Sequence, residues 1–509
     1  LRLSWYAKCF GILVVVAYVR TSASRALCVH TMAVVVRTSA GRSRAWRGAP
    51  TRHVIQSTRR RSVRASPAMP VAPDVLPDVL RHLAWRVRDL AACCRVCRLW
   101  HAVATPLLYE RIWLRNQTRL VRVFSTLAQR PSLAAFVHIL EVRVFPFGMP
   151  AEALEALEAH IVQALQSMTH LRELRWTRTG SLSDRVLLHM FDATHHLQTL
   201  ELTGDSRTWS PRLLAERIPR SVTTLSFLLP DATVVRHLPD IVAHLEGRLA
   251  SLQLLCMHSS VVTDDILRTL APLAPRLQRL ALIGCKHVHG PGIEALATVR
   301  HLCLEAVGLS PSALGRVVPQ HVQSLVLTLP RHDVPSFLDE VSAVLASCDA
   351  LQHLTLYACG GRAAIVDAHA PHMTDACLRR LGATPLRTLR LYGLGLSLAQ
   401  LNALSYAKIA HTLRDLVVHL YEGITDTLFG SIARFAHLVS VHILSDTSSD
   451  ATLTDEDAQQ LVSQAGEHLQ QVGFRNRVMR VCVTKEGRAL TTWDAHSETF
   501  PDVMLVVRS

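Results

Sequence analysis

The stretch Val262 to Cys285, VTDDILRTLAPLAPRLQRLALIGC, carries two periods in succession. Ile266, Leu267, Leu270 and Leu273 recur at helical spacing, Leu280 and Leu282 alternate as in a strand, and a Pro-containing turn joins them. One short helix and one short strand cannot bury their own leucines. A chain that holds one such unit must hold more of them, stacked so that each covers the next. The spacing L-x-x-L-x-L, with Val, Ile, Phe or Trp allowed for Leu, begins at Val137, Leu171, Leu197, Val222, Leu249, Leu277, Val299, Val322, Leu351, Leu386, Leu413 and Leu438, and in weaker form at Leu469.

The intervals between these starts lie mostly in or near the roughly 20 to 29 residues of a leucine-rich repeat, and Leu277-x-x-Leu280-x-Leu282-x-x-Cys285 resembles that repeat. The fold class expected is α/β: a solenoid with a curved parallel sheet and outer helices over residues 136–475, and a cap or tail over 476–509. Ser183-Asp184, Thr263-Asp264, Thr374-Asp375, Thr425-Asp426 and Thr454-Asp455 read as helix caps, structural punctuation rather than catalytic pairs. With Cys285 and Cys359 closing their strands, these openings are similar to the cysteine-containing leucine-rich repeats. The closing position is otherwise irregular: Thr179, Asp205, Pro230, Met257, Val307, Pro330 and Leu394.

A solenoid can absorb most of 509 residues as one body, because each repeat touches only its neighbours. The formal net charge of +15 invites a nucleic-acid or acidic-membrane reading until the charges are located. Residues 1–70 hold 13 Lys or Arg and no Asp or Glu, which leaves 42 basic and 40 acidic groups in residues 71–509. The foldable part is nearly neutral, so neither nucleic acid nor membrane is expected as a partner. Cys9 to Val19 is apolar but too short for a bilayer span. Residues 1–69 read as a basic leader without a fold, either an organelle transit peptide or an extension ahead of Met69. The localisation expected is cytoplasmic or nuclear, and mitochondrial only if the leader is genuine.

No phosphate-binding glycine loop, nucleophile elbow or H-E-x-x-H motif occurs. Cys94-x-x-Cys97 has no second cysteine pair at ligand spacing, and Cys93, Cys94 and Cys97 are expected to pack a helix. Cys285-x-His287-x-His289 and His369-x-x-His372 read as turn residues rather than metal ligands, so neither metal nor cofactor is expected. The scattered cysteines do not make a secreted disulfide framework.

Residues 70–115 form a separate, short helical module, and a helix from Arg119 to Arg130 links it to the repeats across residues 116–135. The module carries Pro73-x-x-Leu76, Val79-Leu80, Leu83, Asp89-Leu90, Val96-Cys97-Arg98-Leu99-Trp100-His101 and Ala104-x-Pro106-x-Leu108-Tyr109-x-x-Ile112-x-Leu114. It resembles the F-box of fungal F-box proteins, departing from it at Pro77, where the family continues its first helix. The resemblance covers about a tenth of the chain. It implies a non-catalytic substrate receptor of an SCF ubiquitin ligase, docked on a Skp-type adaptor and through it on cullin and RING subunits. The adaptor-binding residues it implies are Pro73, Leu76, Val79, Leu80, Leu83, Leu90, Val96 and Trp100.

The repeats would then hold an unknown target protein on the strand residues that point away from the core. In the early repeats these are bland: Glu173, Arg175 and Thr177, then Thr199, Glu201 and Thr203. Later repeats offer His353, Tyr357, Arg390, Tyr392, Asp415, His419 and His442 as the target-binding candidates, since Tyr and Arg are favoured interface anchors. A scaffold or inhibitor whose helical module is only a structural cap is the alternative.

Overall fold

The computed structural model describes residues 73–84, 86–146, 148–330, 333–358, 371–421, 426–445, 454–475, 477–484 and 487–492. The basic leader, the end of the tail, Cys359, His369 and Thr425 lie outside them.

Three short helices open the described chain: α1 (Leu76–Arg81), α2 (Val87–Cys93) and α3 (Arg98–Glu110). Pro77 sits in the first turn of α1, where its missing N–H has no intrahelical partner to lose. Helix α4 (Gln117–Gln129) follows, capped by the Asn116 side chain, and it buries Leu120, Phe124, Leu127 and Ala128.

Sixteen strands then form one sheet in sequence order among the described residues. They are β1 (Arg111–Leu114), β2 (Ile139–Val142), β3 (Glu173–Trp176), β4 (Thr199–Thr203), β5 (Thr224–Leu228), β6 (Ser251–Thr263), β7 (Arg279–His287), β8 (His301–Glu305), β9 (Ser324–Leu329), β10 (His353–Ala358), β11 (Thr388–Leu396), β12 (Asp415–Leu420), β13 (Ser440–Ser445), β14 (Gln471–Phe474), β15 (Arg477–Thr484) and β16 (Gly487–Thr492). Pairing is parallel from β1 to β14 and antiparallel in the closing hairpin of β14, β15 and β16. Every parallel crossover carries a helix, as parallel neighbours require. The chain is a leucine-rich-repeat solenoid.

Each strand from β2 to β14 begins two residues after one of the L-x-x-L-x-L starts. The central leucine of each unit lies in register with the next: Leu140, Leu174, Leu200, Leu225, Leu252, Leu280, Leu302, Leu325, Leu354, Leu389 and Leu416. All are essentially inaccessible to solvent. Burial alternates along strands such as β3 and β9, so one face of the sheet packs on the helices and the other is open. One strand precedes the expected start: Ile112 and Leu114, read as part of the helical module, form β1 beside β2. Their spacing from Tyr109 is that of a repeat with Tyr in the first apolar position, a substitution that the Leu, Val, Ile, Phe or Trp pattern does not admit.

The helix openings serve partly as expected. Ser183 and Thr374 accept backbone amides at their helix starts, and Thr454 forms a capping box with Asp457. Thr263 makes no such bond, because it is still the last residue of β6. Instead the Asp264 carboxylate reaches the next repeat and accepts from the backbone amides of His289, Gly290 and Gly292 at 2.8, 3.2 and 2.8 Å. Asp184 likewise accepts from the Ser210 amide of the following repeat. These aspartates are ties between repeats. Hydrogen bonds to a charged acceptor contribute about 1.5 to 3 kcal/mol each, and leaving three amides without it is costly. Asp264→Ala is therefore expected to lower unfolding stability by about 2 kcal/mol or more and Thr263→Val by well under 1 kcal/mol, measured by the shift in denaturant midpoint.

Candidate functional site

Two surfaces stand out, one in the N-terminal module and one on strands β10 to β12. In the N-terminal module, α1 and α2 both pack on α3 around Leu76, Leu80 and Ala104, with Leu83, Cys93, Cys94, Trp100 and Val103 partly covered against them. Leu76, Leu80 and Leu90, named above as adaptor contacts, are thus inside the module, because so small a unit needs them for its own core. Leu83 and Trp100 are half-buried in the same cluster. Pro73, Val79 and Val96 are exposed. Val75, Val87 and Leu99, absent from the sequence list, are exposed as well. Of the eight large hydrophobic side chains most exposed among the described residues, five lie in this module: Val75, Val79, Val87, Val96 and Leu99. The others are Tyr406, Tyr421 and Val483. Cys97 is exposed, and Cys94 contacts the Thr105 hydroxyl at 3.7 Å.

In the later repeats, β10, β11 and β12 bring several of the target candidates together. Tyr357 and Tyr392 are register partners whose rings stack at 4.8 Å between centroids and 14° between planes. Arg390 pairs with Asp415 on the next strand, Nε to Oδ2 at 3.0 Å with a second, shorter contact from Nη2. His353 Nδ1 meets the Thr388 hydroxyl at 2.9 Å. Beside them the ring of His372 stands edge-on to Tyr421 at 4.6 Å. Gly395 between them has no room for a side chain: a Cβ there would lie 2.9 Å from His372 and 3.0 Å from Tyr421.

Tyr392, His419 and His442 do not belong to the accessible surface. Tyr392 is 8 % exposed and His419 7 %. His442 is 1 % exposed because the turn after β14 closes over it, and its Nε2 donates to the Arg475 carbonyl at 2.8 Å. Its register partner is Gly473, where a Cβ would fall 1.9 Å from Nδ1, so glycine makes the space for the ring. Burial holds the His442 imidazole below its ordinary pKa, against the opposing pull of the Arg475 carbonyl.

The early repeats, bland in the sequence, carry a charge network on the same face. Glu141 is 1 % exposed and pairs with Arg143 and Arg111. Arg175 bridges Glu173 at 3.1 Å and Glu201 at 3.8 Å. Burial raises the Glu201 pKa while Arg175 and Arg143 oppose it. Trp113 lies between the guanidinium groups of Arg111 and Arg115, at 5.2 and 3.1 Å. Strand register is what assembles this network: Trp113, Glu141, Arg175 and Glu201 are successive partners on β1 to β4. Residue types alone gave no sign of it.

Cys285 and His287 lie on β7 rather than in a turn. The Cys285 thiol points into the core, 3.6 Å from Cys256 and 3.9 Å from the Leu254 carbonyl; the hydrogen bond to Cys256, and then burial, raise its pKa. His289 Nδ1 takes its partner from the Gly308 carbonyl at 2.8 Å. No group of three or more potential metal ligands comes together among the described residues. No helix among them is long and apolar enough to cross a membrane.

No protein-family model matches the chain, and no curated protein matches it. Among solved structures it is similar to the leucine-rich-repeat-containing protein LegL7 from Legionella pneumophila, at 17% identity over 55% of this chain and 82% of that one, with a TM-score of 0.32. A chain of the Rad7 and Elc1 complex in yeast is 13% identical over 79% of this chain and 83% of that one, with a TM-score of 0.36. A chain of the TLR13–ssRNA13 complex is 14% identical over 62% and 41%, with a TM-score of 0.33. These overlaps are loose, and the fold assignment rests on the strand register rather than on them.

The buried histidine has a consequence in solution. The unfolded chain binds a proton at His442 near pH 6.5, whereas the folded chain resists it to lower pH. Below about pH 6.5 the unfolded state therefore holds more protons, and stability falls as pH falls. His301 and His353, also held below the ordinary value chiefly by burial, act in the same direction. Denaturant midpoints are expected to drop between about pH 7.5 and about pH 5.5, with a shallower drop in His442→Gln.

Proposed function

We propose that the chain is a non-catalytic substrate receptor of an SCF-type ubiquitin ligase: the N-terminal helical module is an F-box that docks on a Skp-type adaptor, and the open face of the sheet holds the target. The observation that carries this reading is the concentration of exposed apolar side chains in Val75, Val79, Val87, Val96 and Leu99. A module of three short helices that has its own small core and still leaves five large apolar groups in water is suited to covering by a partner. The resemblance of Val96-Cys97-Arg98-Leu99-Trp100 to the F-box names the partner. Cullin and RING subunits follow through the adaptor and supply the ligation chemistry. The receptor's part is proximity, holding a target lysine near the charged ubiquitin carrier.

One observation favours a scaffold in which the module is only a cap. Helix α3 continues directly into β1, and Tyr109 at its end packs on the solenoid core. Adaptor binding separates the two readings. The full chain is expected to capture a purified Skp-type adaptor, and Val96→Asp with Leu99→Asp is expected to weaken capture at least tenfold while leaving the thermal midpoint within a degree or two. Exposed positions tolerate such changes within about 0.5 kcal/mol. Absence of capture by the unaltered, folded chain would favour the scaffold.

A further inference from the structure

The open face of the sheet changes its charge character between its two halves. In β1 to β4 the cations Arg111, Arg143 and Arg175 are matched by Glu141, Glu173 and Glu201. From β7 to β10 the first residues of successive strands are Arg279, His301, Ser324 and His353, each in register with the next. Arg300 and Arg387, both exposed, stand immediately before β8 and β11. Among the described residues, no carboxylate forms an ion pair with the side chains of Arg279, Arg300 or Arg387. The carboxylate at the same strand position two strands further on, Asp415, is engaged by Arg390, and Glu305 at the far end of β8 is buried. The groups repel one another: Arg279, His353 and Arg300 act against protonation of His301, after burial, as Arg387 and Arg390 do for His353, with Asp415 opposing. Thr388 holds the half-buried His353 ring through Nδ1.

We propose that Arg279, His301 and His353, bordered by Arg300 and Arg387, form an anion-recognising row that takes an extended acidic segment of a partner protein. Strand spacing of about 4.8 Å puts Arg279 and His353 about 14 Å apart, the reach of about four extended residues. Arg279 and His301 are one strand apart and His301 and His353 two, spacings of about 5 and 10 Å that bracket the roughly 7 Å between carboxylates on alternate positions of an extended segment. An acidic segment also relieves the mutual repulsion of the row, which the balanced network at the other end has already relieved internally. A peptide fits better than a nucleic acid. The Tyr357 and Tyr392 rings next to the row are stacked on each other rather than spread as a platform for bases. The assignment rests on the receptor reading only in identifying the segment as part of a target. Peptide binding by the isolated chain does not depend on the adaptor.

The test uses the full chain and a fluorescent twelve-residue peptide of alternating Glu and Ser, with a Gln and Ser peptide and a single-stranded oligonucleotide of equal length as comparisons. Saturable binding of the Glu peptide, absent for the Gln peptide, is expected. Arg279→Gln, at an exposed site, is expected to weaken it about threefold or more, and the triple variant Arg279→Gln, His301→Gln, His353→Gln at least tenfold, with the thermal midpoint as a check on folding. Arg122→Gln, on the exposed side of α4, is expected to leave it unchanged. Adaptor capture is expected to survive in every one of these variants. Equal binding by the Arg279→Gln variant and the unaltered chain, no saturable binding of the Glu peptide, or tighter binding of the oligonucleotide would each overturn the proposal. Loss of adaptor capture by the unaltered chain would overturn only the ligase assignment.

Discussion

The row of leucines from Leu140 to Leu416 is what everything else in the molecule hangs on. Each of these side chains is buried by the units before and after it, so no repeat has an independent core. A Leu→Ala change in such a site costs about 2 to 5 kcal/mol, depending on how far the neighbours collapse. In a stack the damage is shared with adjoining units rather than contained. The aspartate ties from Asp184 and Asp264 reinforce the same contacts from the helix side. The ladder also fixes which residues become neighbours on the open face. Groups far apart in sequence, such as Tyr357 and Tyr392 or Arg390 and Asp415, meet because their strands are in register.

This separation of labour leaves the two ends of the molecule free to do different things. The first repeats spend their charges on each other around Glu141 and Trp113, which makes that part of the face internally satisfied. Further along, cations outnumber their counter-ions, and the surface keeps a demand for negative charge. The helical module at the front has the opposite need, for apolar cover. A receptor of the kind proposed, holding an adaptor and a target at once, would gain from surfaces that differ this much, because neither partner would compete well for the other's site.

The repeats were plain in the sequence because a leucine at fixed offsets is both the signal and the structural cause. Thirteen strands begin where the motif places them. The strand at Ile112 escaped only because Tyr109 occupies the first apolar position. The open face was less legible. His353, Tyr357, Arg390 and Asp415 do gather there, but Tyr392, His419 and His442 follow the same spacing and are covered. What hides His442 is the turn at Arg475 together with the missing side chain of Gly473, neither of which lies near it in sequence. The module showed a related ambiguity. Helical periodicity identifies its apolar residues, but which of them fill the core and which face water depends on how α1 and α2 cross α3. Leu76 and Leu80 went inward, Val79 and Val96 outward.

On the proposed reading, the exposed face of the helical module, rather than the sheet, meets a Skp-type adaptor. Amide hydrogen exchange on the full chain, alone and saturated with a Skp-type adaptor, tests it directly. Slower exchange confined to residues 75–100, with β10 to β12 unchanged, is the predicted result. Protection appearing on those strands, or no change in the module despite binding, would contradict it.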